Sequence, residues 1–116
     1  MQLTVSSLGD HLIRITLAGR LDTPGVDRIE TKFIFAIVPG ANNAIVDLSA
    51  VEFMASMGIR MLVSTARSLK ARRATMALYG VSPEVGQVFE TVSLQKIIPI
   101  CTTEAEALEA VAAPKA

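Results

Sequence analysis

The residue with the clearest chemical potential is Ser56, because the sequence around it places a hydroxyl where a helix begins. Residues 45–59, IVDLSAVEFMASMGI, predict the end of a short apolar strand at 44–48, then a turn, then a helix. The start of a helix offers unpaired backbone N–H groups and a partial positive charge. A serine there can act as the N-cap of the helix, or it can carry a phosphate that the helix end accommodates.

The side chains that enzymes and metal sites use are scarce in this chain. His11 is the one histidine and Cys101 the one cysteine, so neither a thiolate–imidazole metal site nor an internal disulfide can form. A hydrolytic serine needs a general base, and nothing in the sequence places His11 near Ser56. The glycines match neither a phosphate-binding loop nor a dinucleotide fingerprint. We therefore expect no catalytic residue, no metal and no cofactor.

Residues close to Ser56 indicate a contact surface for another protein. Met54, Met57 and Met61 surround the serine in sequence, and flexible thioethers suit adaptable contacts, although Met61 fits core filling equally well. Gly58 falls in the first turn of the predicted helix, where glycine destabilises by up to about 1 kcal/mol. Its missing side chain would leave the backbone near Ser56 open to a partner.

Composition limits the class of protein. The 116 residues are 51% hydrophobic and suffice for one domain with a real core. The 11 basic and 11 acidic side chains give a formal net charge of zero, which argues against a nucleic-acid partner. No apolar run approaches the roughly 20 residues of a membrane-spanning helix, and no signal-like start precedes the first strand. We expect a soluble cytoplasmic protein that binds neither nucleic acid nor membrane.

Hydrophobic periodicity predicts the elements that position Ser56. Alternating apolar residues predict strands at 2–7 and 11–20, joined by a tight turn. Thr23 and Pro24 then begin a helix, with Thr23 as its N-cap. The apolar face of this helix consists of Val26, Ile29, Phe33 and Ile37. The helix that starts at Ser56 has its own apolar positions, which are Ile59, Leu62, Val63, Ala66 and Leu69.

The rest of the chain alternates short strands with helices. A strand at 75–79 precedes a helix that begins at Ser82 and Pro83. The buried stripe of that helix is predicted as Val85, Val88, Phe89 and Val92. A last strand at 97–100 leads to a terminal helix through Val111, where Thr103 and Glu106 fit a capping box. Tyr79 is expected to pack with its hydroxyl reaching water.

The resulting order is β-β-α-β-α-β-α-β-α. Two initial strands can pair directly, whereas strands separated by helices favour parallel pairing. This predicts a single α/β domain over residues 1–113, with a mixed, mostly parallel sheet of about five strands and about four helices. Residues 114–116 are expected to form a short flexible tail.

Three blocks of this sequence resemble the STAS domain family, and specifically the bacterial anti-sigma factor antagonists. The most specific block is 47–62, DLSAVEFMASMGIRML. Residues 19–22, GRLD, match the family's Gly-x-Leu-Asp, and 79–85, YGVSPEV, match the loop and helix start after the fourth strand. The likeness extends over nearly the whole chain, so it implies a STAS-like fold.

The resemblance implies a phosphorylation switch. In such antagonists, the serine at the start of the second helix is phosphorylated by a serine kinase that doubles as the anti-sigma factor. The unmodified antagonist binds this kinase and frees the sigma factor, and a serine phosphatase resets the phosphorylated form. Ser56 is then the phosphoacceptor. The residues expected to contact the partner are Asp22, Met54, Ala55, Ser56, Met57, Gly58, Arg60 and Met61.

Some alternatives stay open at this point. Many family members have Asp immediately before the serine, where this chain has Ala55, and the lost carboxylate can alter kinase recognition. Asp22 matches an acidic position near the switch, but it serves equally well as a helix cap beside Thr23. A non-switching STAS scaffold in a stress-signalling or lipid-transport complex is the alternative function. An esterase that acts through Ser56 is a third.

Overall fold

The computed structural model describes residues 1–112, which form one five-stranded sheet with helices on both faces. The strands are β1 (Gln2–Gly9), β2 (Leu12–Leu21), β3 (Asn43–Met54), β4 (Met76–Tyr79) and β5 (Ile100–Cys101). The α-helices are α1 (Thr23–Ile37), α2 (Ser56–Ala71), α3 (Pro83–Thr91) and α4 (Glu104–Ala112), and a 3-10 helix covers Leu94–Lys96. The tail expected at 114–116 lies outside the described residues.

The spatial order of the strands follows the chain order, β1-β2-β3-β4-β5. The hairpin of β1 and β2 is antiparallel, and each later neighbouring pair is parallel. A helical crossover returns each later strand in the same direction, which is the reason for this pattern. The predicted mixed, mostly parallel sheet is confirmed.

Alternation along β3 divides the core between the two faces of the sheet. Ala44, Val46 and Leu48 belong to the larger cluster, together with the inner faces of α1, α2 and α3. Ile45 points the other way and joins the smaller cluster with α4. These four residues are fully buried. Burial on both faces explains why the sequence shows an unbroken apolar run here.

Strand β3 is longer than predicted, and the turn expected after residue 48 is wrong. The strand continues to Met54 because it pairs with β2 as far as Leu21, with two shifts of register on the way. At the first shift, Oδ1 of Asp47 accepts hydrogen bonds from the backbone N and Oγ of Ser49, at 2.9 and 2.7 Å. Asp47 therefore stabilises an irregularity within the strand.

The predicted caps of the last two helices are confirmed. Ser82 caps α3, since its hydroxyl accepts from the N–H of Val85 at 3.3 Å. In the capping box of α4, Thr103 Oγ1 accepts from the N–H of Glu106 at 3.2 Å. Glu106 Oε1 in turn accepts from the N–H of Thr103 at 3.1 Å. These bonds fix where both helices begin.

Two other predictions for the carboxyl-terminal part are wrong. Val88 and Val92 are 37% and 49% exposed, because the nine-residue helix α3 buries only the narrow i, i+4 stripe of Val85 and Phe89. The last strand is only two residues long and begins after Pro99. Proline has no N–H to donate to a strand ladder, so pairing begins beyond it.

Candidate functional site

The helices α1 and α2 begin side by side at one end of the sheet. Leu21 and Met54 pair at the ends of the parallel strands β2 and β3. The N–H of Ala55 also donates to the carbonyl of Leu21 at 2.9 Å. Each strand is followed directly by a helix, so Asp22 and Ser56 lie at the same end of the sheet. Carboxyl ends of parallel strands are where open α/β sheets typically bind their ligands.

Ser56 is the first residue of α2, and it is exposed. The N-cap, one of the two roles that the sequence left open for Ser56, belongs to Ala55, which has extended backbone angles of φ −94° and ψ 169°. The carbonyl of Ala55 accepts from the N–H groups of Gly58 and Ile59, at 2.9 and 3.2 Å. The Ala55 side chain cannot cap, so the positive end of α2 keeps donors for water or for a phosphate on Ser56.

Asp22 is the N-cap of α1, which corrects the assignment of that role to Thr23. Its Oδ1 accepts from the N–H of Gly25 at 2.9 Å, and its Oδ2 lies 3.5 Å from Nε of Arg20. The bond from Gly25 is the main cause that lowers the pKa of Asp22, and Arg20 lowers it further. Asp22 thus brings a negative charge to the same end of the sheet as Ser56.

The methionines near Ser56 divide into inner and outer residues. Met54 and Met61 are only 4% and 1% exposed, so the expectation that they form a contact surface is wrong; they fill the core between α2 and the sheet. Met57 is half-buried against the same core. Arg60 is exposed one turn beyond Ser56. Met57 and Arg60 are therefore accessible neighbours of the serine on α2.

Gly58 is an internal packing position, which corrects its expected role as an opening for a partner. A Cβ at residue 58 would lie 2.6 Å from Sδ of Met54. It would also lie 3.2 Å from Cβ and 3.3 Å from the carbonyl oxygen of Leu21. The missing side chain lets the first turn of α2 approach β2 and β3 closely. Gly58 therefore helps to position Ser56 by allowing the first turn of α2 to pack closely against the sheet.

The buried face of α2 is rotated relative to the prediction. Ile59, Val63 and Ala66 are only half-buried. The buried residues are Gly58, Met61, Leu62, Thr65 and Leu69. Thr65 is tolerated inside because its hydroxyl donates to the carbonyl of Met61 at 2.8 Å. As a result, Ser56 lies on the side of α2 that faces away from the buried residues, at the centre of the solvent-exposed face.

Two neighbours of Asp22 were not identified from the sequence. Arg20 and Phe53 are paired across β2 and β3, and the guanidinium carbon of Arg20 lies 4.4 Å from the centroid of the Phe53 ring. Phe53 is 40% exposed, and such cation–π contacts are stabilising. Arg20 is thus held between an aromatic ring and the cap of α1. An aromatic residue three positions before the first residue of α2 was the available signal.

A separate polar cluster fastens α4 to the other face of the sheet. Nη1 of Arg14 lies 2.7 Å from Oε1 of Glu104, and the hydroxyl of Tyr79 donates to the same oxygen at 3.0 Å. The bond from Arg14 is the main cause that lowers the pKa of Glu104. Burial is the main cause that raises the pKa of Tyr79. The expectation that the Tyr79 hydroxyl reaches water is wrong, since this hydroxyl donates its hydrogen bond to Glu104.

The described residues, 1–112, also bear on metal binding and on membrane insertion. Over that range, no group of His, Cys, Asp and Glu side chains is arranged to hold a metal ion. None of the helices there combines the length and the apolar character needed to cross a membrane.

Comparison with known proteins decides the family. The model of the STAS domain family matches residues 5–107. The chain belongs to the STAS domain family. It is 32% identical over 98 residues to the anti-sigma-B factor antagonist of Listeria monocytogenes, an alignment that covers 84% of each chain. This places it with the anti-sigma factor antagonists and confirms the resemblance found in the sequence.

Solved structures of the same family match nearly the full length of the chain. The anti-sigma factor antagonist SpoIIAA in its unphosphorylated form has a TM-score of 0.72 and 27% identity, covering 97% of this chain and 100% of that chain. The phosphorylated form of SpoIIAA from Bacillus also has a TM-score of 0.72, with 28% identity, covering 95% and 99%. The α/β fold predicted from the sequence is therefore that of a STAS domain.

Proposed function

We propose that this protein acts in the cytoplasm by binding an anti-sigma factor that is a serine kinase, thereby freeing a sigma factor for transcription. Phosphorylation of Ser56 by that kinase ends the binding, and a serine phosphatase restores it. The protein itself is a binding module without catalytic activity. The observation that carries the proposal is the exposed Ser56 hydroxyl at the first position of α2.

A relative that exists in two phosphorylation states supports the proposal. SpoIIAA is known in both a phosphorylated and an unphosphorylated form, and both forms resemble this chain to the same degree. A STAS domain can therefore carry a phosphate without losing its fold. In the reaction, Oγ of Ser56 forms a bond to the γ-phosphorus of ATP while the bond to ADP breaks. The hydroxyl proton is released.

The fold around Ser56 is suited to a phosphate. The group adds roughly −1.5 to −2 charges near neutral pH. Negative charge at a helix start is stabilised by about 0.3–1 kcal/mol through the helix dipole, and α2 has no acidic residue in its first turn. Phosphorylation is therefore expected to leave the domain folded.

The same charge is unfavourable in a protein–protein interface. The surface around Ser56 combines a neutral hydroxyl, the small side chain of Ala55 and the half-buried Met57, so a bound partner would desolvate an added phosphate. A loss of about 3 kcal/mol weakens binding more than a hundredfold, at 1.4 kcal/mol per decade. Modification of one residue is thus sufficient to release the partner.

The remaining predicted contact residues have two different roles in this proposal. Asp22, Ala55, Met57 and Arg60 are at least partly accessible and form the contact surface around the serine. The buried set acts indirectly, by holding the first turn of α2 in place, and consists of Met54, Gly58 and Met61. Ala55 leaves the position before Ser56 uncharged, so kinase recognition is expected to rely on other residues of this surface.

The direct test is incubation with the cognate kinase and ATP, followed by mass mapping of the modified residue. We expect one phosphate, on Ser56, and none in the Ser56→Ala variant. Ser64 and Ser68, which are also exposed on α2, are internal controls and should stay unmodified. Modification elsewhere, or none, would count against the proposal.

The scaffold alternative makes a different prediction in cells. A constitutive scaffold stays in its complex whether or not Ser56 can be phosphorylated. Phosphate-affinity electrophoresis of the endogenous protein should show a shifted band that Ser56→Ala abolishes. If the band is absent while the protein remains in a complex, the scaffold function is favoured.

A further inference from the structure

The solvent face of α2 carries a row of cations that starts at Ser56. Arg60, Arg67 and Lys70 stand 4, 11 and 14 residues after the serine, and all three are exposed. Steps of three and four residues bring side chains to the same side of an α-helix. At 1.5 Å per residue, the row extends about 21 Å from Ser56. We refer to these three residues as the basic stripe.

The charges of the basic stripe are not used inside the domain. Across residues 1–112, the ion pairs are Arg14 with Glu104 and Arg20 with Asp22, neither of which involves the stripe. Helix α2 contains no Asp or Glu. Lys70 in the last turn complements the helix dipole, but a cation near the first turn, as at Arg60, is disfavoured by it. The helix dipole therefore accounts for Lys70 but not for Arg60 or Arg67.

The zero net charge of the chain conceals a separation of charge in the fold. Residues 83–112, which include α3 and α4, contain five glutamates and a single lysine, Lys96. Arg72 and Arg73, which are exposed just after α2, extend the positive side. A surface of one sign attracts a partner of opposite sign and accelerates its association.

We propose that the basic stripe docks onto an acidic surface of the partner protein, and that phosphate on Ser56 releases the partner by neutralising at least half of the positive charge of the stripe. This inference rests on the proposed function, whose partner it describes. A phosphoserine adds about −1.5 to −2 charges at the end of a row that carries three positive ones. Arg60, at i+4, lies within pairing distance of that phosphate on the helix surface.

A protein surface fits the stripe better than a nucleic acid does. Val63 lies on the same line between Arg60 and Arg67, and it is half-buried, as are Met57 and Ile59 beside it. Apolar area surrounded by charge is typical of protein interfaces. Three cations neutralise few phosphates, and binding of that kind is weak at physiological salt.

The first test compares two charge reversals at exposed residues, Arg67→Glu in the stripe and Lys96→Glu outside it. The dissociation constant for the kinase is measured at about 50 mM and about 500 mM salt, where screening differs strongly. We expect Arg67→Glu to weaken binding roughly tenfold or more at low salt and much less at high salt. Lys96→Glu should stay within about twofold of the unmodified chain. Equal affinities for the two variants would overturn the proposal.

The second test separates failure of the stripe from failure of the proposed function. A photo-crosslinking residue replaces Ser64, which is exposed beside the stripe, and Ser56 is left intact. A crosslink in cells to an acidic segment of the kinase, lost with Arg67→Glu, supports both proposals. A crosslink to an acidic segment of a different protein, again lost with Arg67→Glu, supports the role of the stripe but contradicts the proposal that the kinase is the partner. A crosslink to nucleic acid, to lipid or to a segment without acidic residues overturns the stripe.

Discussion

Replacing Gly58 by alanine tests whether close packing under α2 positions the switch serine. The new Cβ would lie 2.6 Å from Sδ of Met54 and 3.3 Å from the carbonyl oxygen of Leu21. The thioether can move, but Leu21 is fully buried at the end of β2, so relief of its tight contacts requires a small shift of Leu21 or of the helix. Overpacking of this kind destabilises by about 1–3 kcal/mol.

The gain in helix propensity opposes this effect. Alanine is better than glycine in a helix by up to about 1 kcal/mol, so the net loss at Gly58 lies within about 0–3 kcal/mol, with a midpoint of about 1.5 kcal/mol. For a domain of this size, we expect the Tm to fall by roughly 3–10 °C. Thermal unfolding followed by circular dichroism measures the shift directly.

Gly86 provides a matched control on α3. A Cβ there would meet only Cγ1 of Val81 at 3.7 Å, an ordinary contact. Gly86→Ala should therefore stabilise the domain by about 0.5–1 kcal/mol, through helix propensity alone. The reasoning is refuted if Gly58→Ala unfolds at or above the temperature of the unmodified chain while Gly86→Ala behaves as expected.

Three further predictions concern the site and the fold. Asp22→Ala should lower the Tm because α1 loses its cap, whereas Asp22→Asn should not, since an amide oxygen also caps well; equal Tm values for the two variants would exclude a capping role. Gly25→Ala should destabilise by about 1–3 kcal/mol in urea unfolding, because a Cβ there collides with the carbonyl oxygen of Arg20, and an unchanged midpoint would contradict this. The pKa of Glu104 is lowered mainly by Arg14, so ionised Glu104 stabilises the fold above its unfolded pKa of about 4.3 and loses this effect as pH falls through the lower folded pKa. Glu104→Gln should accordingly be less stable than the unmodified chain near pH 7 and match it near pH 2; a difference that does not change with pH would argue against the ion pair.

Much of the fold could be predicted from the sequence because its elements depend on local patterns. Period-two and period-3.6 spacing identified the strands and helices, and proline with a preceding polar residue marked where α1 and α3 begin. The extension of β3 to Met54 was missed for a physical reason. The register shifts after Asp47, and such irregularities break the alternation on which the prediction depends.

The site was predicted less completely because it depends on contacts between distant residues. The exposed position of Ser56 at the start of α2 follows from local signals and is confirmed. The rotation of α2 was misjudged because Gly58 and Thr65 are buried, although neither is apolar by type. Two adjacent residues, Asp22 and Thr23, are both good caps, and only the backbone geometry assigns the role to Asp22.

The most direct test of the account is the affinity of the cognate kinase for the unmodified and the Ser56-phosphorylated chain, measured at equal salt. Circular dichroism of both forms must first show the same folded domain. We predict that phosphorylation weakens binding more than about a hundredfold, and that Ser56→Ala stays bound after treatment with kinase and ATP. Equal affinity of the two forms would contradict the switch.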